Sequence, residues 1–96
     1  MPPIILTKKL EHRARVLELT GNTARVRILH LLNRQLSANV SHIAGELKIN
    51  IACVSHHLQL LKAGKLVQTK REGNNIYYSL KKSPFLNQLL SLIQEG

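Results

Sequence analysis

The sequence predicts a mainly α fold carrying one small antiparallel β-hairpin, in the order α-α-α-α-β-β-α. Three observations lead there. Apolar residues recur at helical spacing as far as Gly64. The period then changes from 3.6 to 2 across residues 66–80, and a Ser-Pro pair at 83–84 restores the helical pattern. A length of 96 residues corresponds to a single domain, residues 1–96.

After a short lead, Pro2-Pro3, the spacing of Leu6, Leu10, Ala14 and Leu17 predicts a first helix over about 5–19, stopped by Gly21. Asn22 is the expected cap of a second helix from Thr23 to about Asn33. Val26, Leu29 and Leu32 point inward, Arg25, Arg27 and Arg34 outward, and Ile28 and Leu31 widen the apolar face. That width marks it as the central buried helix. A polar stretch, 35–39, precedes a short third helix from Ser41, its cap, to Lys48, with Ile43, Ala44 and Leu47 inside. Asn50 caps a fourth helix that begins at Ile51 and closes at Gly64. Strands at 66–71 and 76–80 flank a loop, Glu72-Gly73-Asn74-Asn75, rich in turn formers. Tyr77 and Tyr78 alternate across the second strand, so one packs inward and the other faces a groove or solvent. Ser83 and Pro84 open the last helix, to about residue 95. Phe85, Leu86, Leu89, Leu90, Leu92 and Ile93 give it more apolar surface than one small core absorbs. The terminal helices, about 5–19 and 84–95, are therefore expected to form a homodimer interface.

Charge narrows the partners. Fourteen Lys and Arg oppose five Glu and no Asp, and the net charge of +9 favours a polyanion. No apolar run approaches the roughly 20 residues that span a bilayer, so no membrane partner is expected. The N-terminus lacks the charged lead and cleavage site of a signal peptide. A single cysteine fits a reducing compartment, and a cytoplasmic location is expected. No strained nucleophile turn, Gly-rich phosphate loop or carboxylate cluster is present, which excludes an enzyme and calls for no cofactor. The fourth helix is more informative. Val54, Leu58 and Leu61 make one face apolar, while Ser55, His56 and Gln59 line the other. Short polar groups on one helix face suit base edges in a DNA major groove.

Three segments carry a family likeness: Asn22 to Leu32, Val54 to Val67, and Arg71 to Leu80. As a set they resemble the ArsR/SmtB family of winged helix-turn-helix repressors, over about residues 20–80. The resemblance implies a homodimer that binds double-stranded DNA at a roughly palindromic operator and blocks transcription, its two recognition helices entering successive major grooves. Ser55, His56 and Gln59 would then face base edges, with Asn50, Ile51 and Ala52 near the helix N-terminus, where backbone amides could meet a phosphate. Lys62, Lys70 and Arg71 would contact phosphates, and the wing tip at Gly73, Asn74 and Asn75 would reach toward the minor groove.

The chain departs from the family at its metal sites. Where one such site places a Cys-Val-Cys-Asp string, this sequence has Asn39-Val40-Ser41-His42. A second family site uses Asp, His and Glu ligands on the last helix, whereas residues 83–96 hold only Glu95. No metal site is therefore expected. Two neighbouring imidazoles, His56 and His57, project about 100° apart on a helix and converge poorly on one ion. His30, inside an apolar face, is expected to be a hydrogen-bonded, partly buried group. The alternatives are a repressor responding to metal through His12 and His42 or to oxidants through Cys53, and an architectural DNA-binding protein without sequence preference. Cys53 lies at an electropositive helix start, where thiols oxidise readily; its duller role is a small residue packed beneath the helix.

Overall fold

The computed structural model describes residues 7–94. It comprises α1 (Lys8–Thr20), α2 (Thr23–Gln35), α3 (Val40–Leu47), α4 (Ile51–Ala63), β1 (Val67–Glu72), β2 (Asn75–Leu80) and α5 (Pro84–Gln94). The expected order is the observed one. α2 packs against α1, α3, α4, α5 and β2, so it is the axis of the fold. Ile28, Leu29 and Leu32 on it are almost wholly buried, each contributing about 1.5–3 kcal/mol. Around them lie Val16 and Leu19 of α1, Ile43 of α3, Val54, Leu58 and Leu61 of α4, and Leu86 and Leu90 of α5.

Local chemistry sets most boundaries, and it shifts several from where the spacing put them. α1 starts at Lys8 because the Thr7 hydroxyl accepts the Leu10 N–H. The earlier start places Ile5 and Leu6 outside the described residues, as are Pro2, Pro3 and Glu95. On α1, Leu10, Ala14 and Leu17 are exposed, and Val16 and Leu19 form the inner edge instead. Asn39, not Ser41, caps α3: its carboxamide oxygen accepts the His42 N–H at 2.8 Å, and the helix runs from Val40. An Asn side chain preorganised for the amide three residues on displaces the serine two positions later. α2 continues to Gln35, two residues past Asn33. Val26 is only half-buried.

Two of the three predicted outward arginines of α2 are not simply solvated. Arg25 Nε donates to the Leu19 carbonyl at the end of α1 (2.8 Å), and an Arg27 terminal nitrogen donates to the Leu47 carbonyl at the end of α3 (3.1 Å). His12 Nε2 lies 3.0 Å from the Gly64 carbonyl that follows α4. Three helix C-termini thus have orphan carbonyls met by basic side chains from another helix, which also suits the helix dipole.

β1 and β2 pair from Val67 opposite Leu80 to Glu72 opposite Asn75. The expected four-residue loop is a two-residue turn, Gly73-Asn74, with Gly73 at φ +60°. A glycine at positive φ in the first central position is what a type II′ hairpin turn requires. Ala38, in the stretch read as merely polar, forms a one-residue bridge to β2: its N–H donates to the Tyr78 carbonyl (3.0 Å) and its carbonyl accepts from Tyr78 (2.8 Å). Of the two tyrosines, Tyr78 is the one packed against the core.

Reaching that bridge costs backbone strain. Leu36 sits at φ 72°, ψ −49°, with Ser37 N–H donating to the Gln35 carbonyl. This is a γ-turn of the rare, strained kind. Leu36 is 74% exposed, so no burial compensates it. Gly64 is constrained by space instead. A Cβ there would stand 2.3 Å from Leu19 Cδ1, a buried atom in the core.

Two imidazoles are less comfortable than the sequence suggests. His30 is half-buried, but its Nδ1 has no hydrogen-bond partner. His57 turns inward on α4, and its Nδ1 is likewise unpartnered. Burial, then the Arg25 guanidinium and His56, hold the His57 pKa below its ordinary value.

Three outcomes follow. Gly64→Ala destabilises the fold by about 1–3 kcal/mol in urea denaturation, because the methyl overpacks Leu19. Leu36→Gly stabilises it by on the order of 1 kcal/mol, strain relief outweighing the glycine's unfolded-state entropy. The sign for His57 is the opposite of an ion-paired histidine. As pH falls below about 6.5, the unfolded chain takes up a proton that folded His57 declines. Stability is therefore lost from about pH 6.5 downward until the lowered folded value is reached, and His57→Gln makes this slope shallower in denaturation curves measured across that window.

Candidate DNA-binding surface

α3 and α4 are joined by Lys48-Ile49-Asn50, with Lys48 left-handed at φ 55° and the Ile49 N–H donating to the Ala44 carbonyl. Ile49 packs against the core. A turn this short, pinned at its centre, sets the angle between the two helices. Val54, Leu58 and Leu61 are fully buried, which fixes the rotation of α4 about its own axis. The opposite side is left to solvent: Ile51, Ala52, His56, Gln59 and Lys62 are all exposed, and Ser55 is half-buried.

Asn50 caps α4, as the sequence predicts. Its side-chain oxygen accepts the Ala52 N–H (2.7 Å) and the Cys53 N–H (3.4 Å). Two of the amides expected to be available to a phosphate are therefore already satisfied, because an N-cap and an anion compete for the same donors. Cys53 is exposed and not packed beneath the helix.

The hairpin extends the basic surface. Lys70, Arg71, Gly73, Asn74 and Asn75 are exposed. Lys70 Nζ lies 3.6 Å from Glu72, both strongly exposed, a pairing worth little in water. Arg71 Nε reaches back to the Gly73 carbonyl at 3.4 Å. Lys48 and Lys65 flank the two ends of α4, both exposed and both at positive φ. Nothing in their local sequence marks them, since lysine carries no preference for that conformation.

The histidines scatter. His12 and His42 have different partners within the chain: His42 Nε2 is 2.6 Å from Gln35 Oε1 and 3.6 Å from Glu46. The His56 and His57 rings stand 6.2 Å apart and tilted by 48°. Among the described residues no three His, Cys, Asp or Glu side chains gather as a metal site would require. None of the described helices is long and apolar enough to cross a membrane.

Comparison with known proteins matches this architecture. The model of the arsR family of bacterial regulatory proteins matches residues 22–69. A transcriptional repressor SmtB homologue from Synechocystis sp. is 29% identical over 86 residues, 90% of this chain and 64% of that one. The transcriptional repressor PagR of Bacillus anthracis is 31% identical over 84 residues, 88% of this chain and 83% of that one. Its crystal structure gives a TM-score of 0.78 at 30% identity, covering 88% of this chain and 95% of that one. A homodimeric winged helix-turn-helix DNA-binding domain from Mycobacterium bovis gives 0.79 at 33% identity, covering 99% and 88%. The chain thus spans somewhat less than two thirds of the SmtB homologue's length and most of the other two. With half its residues under the family model and its helices and hairpin in the same order as these structures, the chain belongs to the ArsR family of winged helix-turn-helix regulators.

Proposed function

We propose that the protein is a homodimeric transcriptional repressor that reads a roughly palindromic operator and operates without the family's usual metal sites. The observation that carries this reading is the two-sidedness of α4. Its apolar side is wholly buried, and its exposed side presents His56 and Gln59, with Lys62 one turn further on. A helix locked in rotation in this way can hold hydrogen-bonding groups against base edges. Lys70 and Arg71 supply phosphate contacts, and the turn at Gly73, Asn74 and Asn75 approaches the minor groove. Asn50 acts chiefly by capping α4, Ile51 and Ala52 offer small apolar contacts at its start, and half-buried Ser55 borders the reading face.

The dimer reading draws support from the terminal helices. Leu10 is 46%, Leu17 55% and Leu92 71% exposed, an apolar surface that a second copy would cover. PagR is named a repressor, and the Mycobacterium bovis domain is described as homodimeric. A redox-responsive alternative rests on exposed Cys53, whose oxidation at the start of α4 would release DNA. Peroxide then weakens DNA binding by the parent chain and leaves Cys53→Ser unaffected; an equal response of the two overturns that route.

Fluorescence anisotropy on duplexes from the region upstream of the protein's own coding sequence, against random duplex, tests the main reading. Gln59→Ala costs about 1–3 kcal/mol on the preferred duplex and little on random DNA. Lys70→Ala weakens both alike and lowers the salt slope by roughly 0.9. Equal affinity of the parent protein for both duplexes would instead identify an architectural binder. Leu17→Glu yields a folded monomer in sedimentation with greatly reduced operator binding; a variant that remains dimeric rejects the terminal-helix interface.

A further inference from the structure

A pocket of about 340 Å³ opens between α2 and α3, away from every surface assigned above. None of its lining residues belongs to α1, α5, α4 or the hairpin. A dimer built on the terminal helices and DNA on α4 would both leave it open. Its volume lies within the range of small-molecule sites.

Arg27, His30 and Arg34 line it at spacing i, i+3, i+7, which places them along one stripe of α2. Among the described residues neither guanidinium has a carboxylate partner, and the His30 ring makes no hydrogen bond; its Nδ1 is buried without one. Leu31, Val26 and Leu47 supply an apolar floor, the first buried and the others half-buried. One carboxylate, Glu46, stands at the edge, and His42 lies 3.6 Å from it. Two fixed positive charges against one negative leave the rim cationic, and the floor favours a ligand with an apolar body. Guanidinium forks select a planar, bidentate anion.

Arg27 also gives the pocket a link to the helix-turn-helix. Its donation to the Leu47 carbonyl is the cap on the last turn of α3, one residue before left-handed Lys48. An anion that recruits Arg27 competes with that cap and loosens the turn that orients α4.

We propose that this pocket binds a small amphipathic carboxylate, its anionic end held by Arg27 and Arg34 and its apolar body over Leu31, and that occupancy weakens DNA binding through the α3 cap. The second half of this statement rests on the DNA-binding reading; the first half does not.

Amide NMR of the full chain, titrated with benzoate and separately with its neutral analogue benzamide at constant ionic strength, tests the site. Benzoate shifts resonances of α2 and α3 around the pocket, benzamide binds at least about tenfold more weakly, and exposed Arg34→Ala loses at least about fivefold of the benzoate affinity while keeping the parent fold. Equal binding of the two probes, or an unaffected Arg34→Ala, overturns the site. Anisotropy with the preferred duplex then shows its Kd rising at saturating benzoate; binding at an unchanged DNA Kd overturns the coupling. Discrimination between that duplex and random DNA by the ligand-free protein, measured first, reports on the repressor reading separately.

Discussion

Burial of α2 is the constraint on which the molecule depends. Every other helix and the second strand pack on it, so its apolar girdle is the common floor of the core. The same helix also reaches outward: Arg25 and Arg27 close the ends of α1 and α3 with hydrogen bonds to main-chain carbonyls. One helix therefore supplies both the non-directional attraction that gathers the elements and the directional contacts that fix where two of them stop. α4 inherits its position from this arrangement. It is rotated by Val54, Leu58 and Leu61, ended by the close approach of Leu19 to Gly64, and latched there by His12.

The hairpin is held differently. Two strands of six residues are marginal alone. Here Val67 and Leu80 enter the core at the base, Tyr78 packs against it midway, and Ala38 adds two hydrogen bonds on the far edge of β2. The strained γ-turn at Leu36 is what delivers Ala38 to that edge. Beyond half-buried Tyr77 the strands carry only exposed residues to the turn, so the hairpin is a rooted base with a free, basic tip. Electrostatics runs in the same direction. The carboxylates that are paired, Glu18, Glu46 and Glu72, lie on α1, α3 and β1 at exposed positions, where screening is strong. A net charge of +9 remains after all five carboxylates are counted, and its mutual repulsion favours a polyanion as partner.

Much of the fold was legible because its signals are local. Asn22, Asn50 and Ser83 cap the helices they precede, Pro84 opens α5, and the change of period marks the hairpin. Where local signals compete, reading them in isolation fails. Asn39 and Ser41 are both good caps, and the one whose oxygen reaches an amide three residues on is decided by the chain before it. Ala38 looks like part of a polar connection because its partner is forty residues away. On α1 the most regular apolar stripe, Leu10, Ala14 and Leu17, is exposed in the single chain, since spacing shows that a face is apolar but not what covers it.

By itself the sequence determined the element order, the helix caps, the apolar and polar sides of α4, the surplus of positive charge and the absence of the family's cysteine pair, because each is a property of residue type and spacing. Only the tertiary structure decided which carbonyls the arginines of α2 meet, that Tyr78 and not Tyr77 turns inward, and that Arg27, His30 and Arg34 border a pocket. Those outcomes depend on contacts between residues far apart in the chain, and such contacts exist only after the core has closed around α2.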